Sequence, residues 1–318
     1  MLVPHGPRDR LTGRSGPGDR PRILGWRRIF RGNGESRSRP PARGGIWQNR
    51  SVGDRVRLAG PRGRLSWLLG ARLRNRALGM LHRMGLRSYR ETEISLEDGL
   101  RLFARAGTHD EVVKREIWDE RIYPIDEVEL AAGDSVVDVG AQIGAFSLLA
   151  SRMPVTVFAY EPSPMNYALL ERNVAANGLE DRVHAFPLAV QRPGVRELLL
   201  SQSYTNTGGH TSMCDLGPCR RVEAVSLDVV LARHGLDRCQ VVKIDTEGAE
   251  YDIVYGCPPA TLDAIENLFA EVHEHPLLDD CRRSDEPPYT REGMRGFLTD
   301  RGFDVRVDHR TYCLWARR

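Results

Sequence analysis

The chain has 318 residues, of which 41% are hydrophobic and 28% are charged. Its formal net charge of +3 hides an uneven distribution, because residues 1–90 carry 22 arginines, no lysine and four acidic residues. The remaining part is strongly acidic and, at about 230 residues, is long enough for one sizeable core. No run approaches the roughly 20 apolar residues that span a bilayer, so the sequence predicts no transmembrane segment.

Residues 1–64 form an extension rich in Gly, Pro, Arg and Ser, a composition that predicts disorder. Its charge would suit nucleic acid or an anionic membrane. However, aromatic residues are few, and the acidic remainder of the chain would repel a phosphate backbone, which disfavours nucleic acid as a partner. GC-rich coding also produces Arg without Lys. The extension can therefore equally be interpreted as a wrongly assigned start, with Met80 or Met84 as the true one.

Residues 65–89 are predicted to form a basic amphipathic helix, because apolar side chains recur there at helical spacing. Such a helix can make a weak contact with a membrane surface, although packing on the following domain is more common. The apolar positions are Leu65, Leu69, Leu73, Ala77, Met80, Leu81 and Met84. We expect the folded domain to occupy residues 90–318.

A strand, a glycine turn and a helix are predicted around residues 135–150. Gly140 and Gly144 allow the backbone to turn sharply, and the free N–H groups that open the helix favour a carboxylate or phosphate. Glu161 lies 21 positions after Gly140, at the end of the next predicted strand, residues 156–160. An acidic residue at about this distance holds a nucleotide ribose in doubly wound folds.

The spacing of the glycines distinguishes between two kinds of nucleotide ligand. The dinucleotide fingerprint would need glycines where Gln142 and Ala145 stand, which disfavours a nicotinamide oxidoreductase. The order Asp138-x-Gly140-x-x-x-Gly144 instead resembles the first motif of S-adenosylmethionine-dependent methyltransferases.

Further elements follow in alternation. Residues 183–190 suggest a third strand. In related folds the end of this strand faces the adenine, where Ala189 would form a small apolar wall, although burial in the strand core is the favoured interpretation. Residues 204–212 suggest a loop above the cleft, with Asn206 and His210 as possible substrate contacts. Residues 227–231 are predicted to form a helix.

Another apolar strand, residues 241–244, runs into Asp245. Its carboxyl end should meet those of the earlier strands, which would place Asp245 in the same crevice as Gly140 and Glu161. For Glu250, stabilisation of the first turn of a helix is the favoured interpretation.

The predicted fifth strand has a polar C-terminal end that contains Glu271 and His273. The two side chains are two positions apart and share a face, so His273, aided by Glu271, is a candidate general base or substrate contact. A surface histidine is an equal interpretation. The pair His273 and His275 lacks a clear third ligand, so we expect no required metal.

The C-terminal segments 302–307 and 311–316 are predicted to form a hairpin. The cysteines lack Cys-x-x-Cys spacing, so we expect reduced thiols in a cytoplasmic protein. They are Cys214, Cys219, Cys239, Cys257, Cys281 and Cys313.

From Arg90 onward the chain resembles the FkbM-type methyltransferases. The matching segments are DVGAQIG at Asp138–Gly144, AYEPSPMNYALLERNVAANG at Ala159–Gly178, VSLDVVL at Val225–Leu231 and KIDTEGAEYDIVYG at Lys243–Gly256. One departure is Gln142, where the family usually has Asn.

The resemblance implies an α/β, Rossmann-like class I methyltransferase fold, with a seven-stranded mixed sheet and helices on both faces. It also implies S-adenosylmethionine as methyl donor and a hydroxyl group of a small molecule, a secondary metabolite or sugar, as acceptor. The residues expected to hold the donor are Asp138, Gly140, Gln142, Gly144, Glu161, Ala189 and Asp245. The candidates for the base are Asp245, His273 and His210, and Glu271 is expected to act with His273 as a catalytic residue.

Two alternatives stay open. One is a methyltransferase of RNA or another nucleic acid that uses the Arg-rich extension. The other is a non-catalytic protein that binds the cofactor on the same fold. The sequence does not predict the oligomeric state.

Overall fold

The computed structural model describes residues 70, 73–81, 84, 89–204, 206–212, 218–274, 278, 282–308 and 310–318. All of them belong to one compact unit, Asn49–Arg318. The residues predicted to be disordered, 1–64, lie outside the described residues. So does His275, which together with His273 gives too few ligands to predict a metal site.

Helices and strands alternate along the described chain, as the sequence predicts. The strands are β1 Glu91–Ser95, β2 Arg101–Arg105, β3 Ser135–Val139, β4 Thr156–Tyr160, β5 Val183–Phe186, β6 Ala189–Val190, β7 Glu197–Ser201, β8 Cys219–Val225, β9 Cys239–Ile244, β10 Ile265–Glu271, β11 Asp304–Val307 and β12 Cys313–Arg317. The α-helices are α1 at 73–81, α2 Asp110–Lys114, α3 Ala145–Ala150, α4 Pro164–Ala176, α5 Leu227–Arg233, α6 Glu250–Tyr255, α7 Pro259–Asp263 and α8 Arg291–Thr299.

Seven strands form the main sheet in the order β11-β12-β10-β9-β3-β4-β5. Five neighbouring strands, β10, β9, β3, β4 and β5, are parallel to one another. Strand β12 is antiparallel to both β10 and β11. This arrangement confirms the predicted mixed sheet and its C-terminal hairpin. Because β3 and β9 are neighbours and the chain leaves them in opposite directions, their carboxyl ends open a crevice at the topological switch point.

Apolar cores lie on both faces of this sheet. All five residues of β3 are buried, and its side chains alternate, with Val137 in one core and Val136 in the other. The Val137 core also contains residues of α5, α6, α7 and α8, and the Val136 core contains residues of α3 and α4. Helices therefore cover both faces, as predicted for a Rossmann-like fold.

The predicted third strand is divided in two. It ends at Phe186, and Ala189–Val190 pairs instead with β8 in a separate sheet of order β6-β8-β7. Pro187 stands at the division, and it lacks the N–H group that would continue the ladder. A single strand over residues 183–190 was therefore a wrong prediction, and the break turns Ala189 toward the cleft.

Helix α1 confirms part of the helix predicted over residues 65–89. It packs through a small and polar face, because Asn75 accepts a hydrogen bond from the N–H of Tyr204 (3.2 Å) and a Cβ at Gly79 would lie 2.8 Å from the Tyr204 ring. Several of its predicted apolar positions face outward. These exposed side chains are Leu73, Met80, Leu81 and, just beyond the helix, Met84.

Within the described residues, no helix is long and apolar enough to cross a membrane. The described cysteines are free thiols, as expected; they are Cys219, Cys239, Cys257 and Cys313.

Candidate active site

A cavity of about 310 Å³ opens at the carboxyl ends of β3, β4, β9 and β10. Such a crevice is where open α/β sheets bind their ligands. Most of the site residues predicted from the sequence line it. They are Gly140, Gln142, Glu161, Ala189, Asn206, His210, Asp245, Glu271 and His273.

The loop after β3 approaches the end of β9 so closely that only glycine fits. Gly140 has φ +75°, and a Cβ there would lie 1.8 Å from the carbonyl oxygen of Asp245. Gly144 has φ +87°, and its Cβ would lie 2.5 Å from Leu170. Gly140 therefore joins two strand ends at the cavity, whereas Gly144 allows the loop to pack on α4 and does not line the cavity.

Gln142 adopts a left-handed conformation, with φ +52°. Asn tolerates this region better than other L-residues, which gives a physical reason for the Asn usual at this position in the family. The Gln142 side chain turns to Asp110, to which Nε2 donates a hydrogen bond of 2.7 Å. Its backbone N–H donates to Oε2 of Glu161 (2.9 Å).

Glu161 is a buried carboxylate at the cavity wall. Besides the bond from Gln142, its Oε1 accepts from the N–H of Ser163 at 2.7 Å. Burial raises the pKa of Glu161 to about 7, and the N–H bonds offset only part of that rise. These bonds fix the carboxylate while leaving lone pairs for a ligand hydroxyl.

Asp138 lies inside the domain and not on the cavity wall. Its carboxylate, which is fully buried, accepts from Ser147 (2.7 Å) and pairs with the Lys243 ammonium (3.2 Å). Lys243 also donates to the Gly140 carbonyl at 2.8 Å. Asp138 therefore holds the cation that positions the glycine loop, and a direct contact between Asp138 and the donor finds no support in this geometry.

Lys243 was not identified from the sequence as a site residue. Burial by itself would lower its pKa, but the charges of Asp138 and Asp245 raise it above the ordinary value. A charged lysine inside an apolar strand is a signal that the sequence does contain, since such a residue needs a partner.

Asp245 lies at the end of β9, 3.8 Å from Lys243, and its Oδ2 accepts a hydrogen bond from the Tyr123 hydroxyl (3.2 Å). The side chain keeps 28% of its surface exposed, and it faces the cavity. The structure thus brings Asp245 beside Gly140, as the sequence predicts.

His273 stands among carboxylates. Its Nδ1 lies 3.2 Å from Glu250, and its Nε2 lies 3.5 Å from Glu271 and 3.6 Å from Glu247. Burial by itself would lower the pKa of His273, but Glu247, Glu250 and Glu271 raise it well above its ordinary value. The raised pKa favours the protonated imidazole, and both of its ring nitrogens face carboxylates.

Burial also raises the pKa of several carboxyl groups near His273. Burial raises the pKa of Glu271 well above its ordinary value, and the charge of Asp245 raises it further. Burial also raises the pKa of Glu247 to about 7 and that of Glu116, another residue of the cavity wall, to about 7. Perturbed acids grouped in a cleft are typical of functional sites.

Glu250 is more than an acid in the first turn of a helix. Its side chain is fully buried, and it accepts hydrogen bonds from the N–H groups of Thr246 (2.7 Å) and Gly248 (2.9 Å). These hydrogen bonds hold the turn between β9 and α6 against the first residue of the helix. The interpretation as a simple partner of the helix dipole was incomplete, because the sequence does not show the contact with His273.

A second buried network joins four segments beside the cavity, and the sequence did not reveal it. Asp110 forms two hydrogen bonds with the Arg105 guanidinium (2.7 and 2.9 Å) and accepts one from Thr207 (2.7 Å) as well as the one from Gln142. Arg105 also donates to Asn166 at 2.7 Å. We name these five residues the Asp110 clasp.

The predicted loop over residues 204–212 does border the cavity, but it is packed into the domain. Thr207 is fully buried, and His210 accepts a hydrogen bond from the N–H of Ser203 at 3.0 Å. Burial lowers the pKa of His210 to about 4, which keeps the ring neutral.

The sheet order and the loop at its switch point define a class I methyltransferase fold. A family model described as the methyltransferase FkbM domain matches residues 138–305, more than half of the chain, and the chain belongs to this family.

Two curated relatives are similar to the chain. "Methyltransferase sdnD" of Sordaria araneosa is 26% identical over 253 residues, covering 68% of this chain and 90% of the relative. "31-O-demethyl-FK506 methyltransferase FkbM" of Streptomyces tacrolimicus is 31% identical over 191 residues, covering 50% and 73% respectively. Among solved structures, precorrin-6y C5,15-methyltransferase of Geobacter metallireducens GS-15 has a TM-score of 0.38 and 14% identity, covering 70% of this chain and 95% of that one.

Proposed function

We propose that this methyltransferase transfers the methyl group of S-adenosylmethionine to a hydroxyl group of a small molecule, a secondary metabolite or sugar. The observation that carries the proposal is that the Glu161 carboxylate and the Asp245–Glu271–His273 group line one cavity. One end of this cavity suits a nucleoside, and the other suits a group that must lose a proton. The similar protein from Streptomyces tacrolimicus, whose name gives 31-O-demethyl-FK506 as its substrate, supports an oxygen acceptor.

The donor end is assigned to the ends of β3 and β4. Glu161 would accept hydrogen bonds from the ribose hydroxyls, and Gly140 would let the backbone approach the donor. Ala189 would form a small wall of the donor site. Asp138, Gly144 and Gln142 would act by holding the loop in place, because their contacts are made within the protein.

The reaction is an in-line displacement at the sulfonium. The acceptor oxygen forms a bond with the methyl carbon, the carbon–sulfur bond breaks, and S-adenosylhomocysteine leaves. The protein contributes mainly by aligning oxygen, carbon and sulfur. An aliphatic hydroxyl must also give its proton to a positioned base.

We propose that Glu271, and neither His273 nor Asp245, accepts that proton. Both ring nitrogens of His273 face carboxylates, and Asp245 is held by Tyr123 and lies near the Lys243 cation. Glu271 lines the cavity, and its distance of 3.5 Å from Nε2 of His273 is longer than an ordinary hydrogen bond.

A transfer assay with labelled donor and a panel of small hydroxyl compounds tests this assignment. We expect an O-methylated product by mass spectrometry, and a kcat about 10²–10⁴-fold lower in Glu271→Gln. Glu197→Gln, which alters an exposed carboxylate paired with Arg221, is the matched control. A kcat equal to that of the wild type in Glu271→Gln would show that Glu271 is not the base. Donor binding without transfer to any acceptor would favour a non-catalytic protein.

A further inference from the structure

A histidine and two carboxylates meet at the floor of the cavity. Asp245, Glu250 and His273 each bring one nitrogen or carboxylate oxygen to within 4.8 Å of the other two. They come from the end of β9, the first turn of α6 and the segment after β10. An imidazole nitrogen with carboxylate oxygens is a ligand set that proteins use for divalent cations.

Partners outside the group already orient its two carboxylates. The Tyr123 hydroxyl donates to Asp245 at 3.2 Å, and the backbone N–H groups of Thr246 and Gly248 donate to Glu250. Metal ligands in proteins carry such outer hydrogen bonds, which fix the direction of the lone pairs. The ligand atoms are therefore preorganised.

Acidic side chains outnumber basic side chains around this group. Glu247 and Glu271 lie 3.6 and 3.5 Å from Nε2 of His273, in addition to the two carboxylates of the group. The Lys243 ammonium lies 3.8 Å from Asp245, but it is also bonded to a backbone carbonyl and a further carboxylate. Burying so many carboxylates is costly unless cations balance them.

The group also faces the cavity, where the acceptor would bind. Asp245 and His273 line the cavity, whereas Glu250 is fully buried behind them. Three protein ligands on one side and free positions toward a cavity are the arrangement of a catalytic metal site.

We propose that Asp245, Glu250 and His273 hold one divalent cation, which takes the place of the proton that His273 carries in the metal-free protein. The acceptor hydroxyl would bind to this cation through its oxygen. The second half of this proposal rests on the proposed function, and the first half does not. A hydroxyl bound to the cation loses its proton more readily, and Glu271 is placed to take it. The sequence predicted no required metal, because the pair His273 and His275 lacks a clear third ligand. The two carboxylates of the proposed site lie far from His273 along the chain, and no local pattern marks them.

The test uses the full chain, freed of metal by chelation and dialysis and then titrated with Mn²⁺. Electron paramagnetic resonance of free Mn²⁺ gives the bound fraction. We expect one Mn²⁺ per chain, and binding at least about tenfold weaker in Asp245→Asn and in His273→Ala. Asp263→Asn, which alters an exposed carboxylate bonded to Arg318, should bind Mn²⁺ like the wild type.

A second measurement does not depend on the variants folding. Electron spin echo spectra of Mn²⁺ bound to the wild type should show coupling to an imidazole nitrogen. The proposal is overturned if the wild type has no saturable site, if that coupling is absent, or if folded Asp245→Asn and Asp263→Asn bind Mn²⁺ equally. Calorimetry with S-adenosylhomocysteine on the metal-free chain separates the two proposals, because donor binding without Mn²⁺ binding leaves the proposed function intact.

Discussion

At the scale of single residues, Gly140 is a position in the site where an added Cβ would clash severely with the backbone of Asp245. We expect Gly140→Ala to be far more damaging than Gly178→Ala, although both replace a glycine with positive φ. Gly178 has open space around its Cβ position, so its replacement should cost only the conformational penalty of about 1–2 kcal/mol. Gly140→Ala adds the clash with Asp245, a further cost of about 1–3 kcal/mol.

Urea unfolding of the two variants measures the difference. Equal losses would show that the approach of the loop to β9 is not as tight as the structure has it.

The pKa of Glu161 predicts a pH dependence of stability. Because its folded pKa of about 7 lies above the ordinary 4.5, its contribution is fully present below the ordinary pKa and is lost as pH rises through about 7. Between about pH 5 and pH 8 the wild type should therefore lose on the order of 2–3 kcal/mol more stability than Glu161→Gln. Denaturant unfolding across this range checks it, and identical pH profiles would refute a raised pKa.

The residues that the sequence could identify are those whose role is local. Gly140 and Glu161 stand out by spacing alone, since a tight turn and an acid after the next strand are properties of one βαβ unit. The pairs Gln142–Asp110 and His273–Glu250 join residues 32 and 23 positions apart. No local pattern marks such partners, and this is why His273 was predicted to be a base and not a residue enclosed by carboxylates.

At the scale of elements, the Asp110 clasp ties the segment after β2 to the donor loop and to the loop over residues 206–212. Asp110→Asn would leave the buried Arg105 charge unpaired, so we expect a loss of about 3–5 kcal/mol in the free energy of unfolding. Asp119→Asn, which removes an exposed pair with Lys114, should cost no more than about 1 kcal/mol.

S-adenosylhomocysteine binding gives a second measurement of the clasp. Asp110→Asn should also weaken that binding, because Gln142 loses its anchor. Similar unfolding energies for the Asp110 and Asp119 variants would contradict the role of the clasp.

Elements with a strong hydrophobic period were predictable, and those that depend on tertiary contacts were not. The buried strands β3, β4 and β9 could be predicted directly from their runs of apolar residues. Pro187 interrupts the apolar run over residues 183–190, which therefore forms two strands. Helix α1 packs on the domain through the face that contains Asn75 and Gly79. In α1 the close approach permitted by Gly79 decided the orientation, against the hydrophobic pattern.

At the scale of the whole molecule, the cavity is built from residues well beyond the basic extension. A chain that begins at residue 65 should therefore bind S-adenosylhomocysteine with an affinity within about twofold of the full chain, because the described residues that line the cavity start at His109. A chain that begins at Met84 loses the Asn75–Tyr204 hydrogen bond, and it should be less stable by about 1–3 kcal/mol.

Calorimetry and urea unfolding of the two truncated chains measure these effects. Loss of donor binding in the first chain would mean that the extension takes part in the site.

The most direct test of the account is a calorimetric titration of the full chain and of Glu161→Ala with S-adenosylhomocysteine. The cavity at the ends of β3 and β4 predicts one binding site per chain in the wild type. Removing hydrogen bonds to a buried carboxylate should weaken binding by at least about tenfold in Glu161→Ala. Absence of binding to the wild type, or equal affinity in the two proteins, would contradict the assignment of this cavity to the methyl donor.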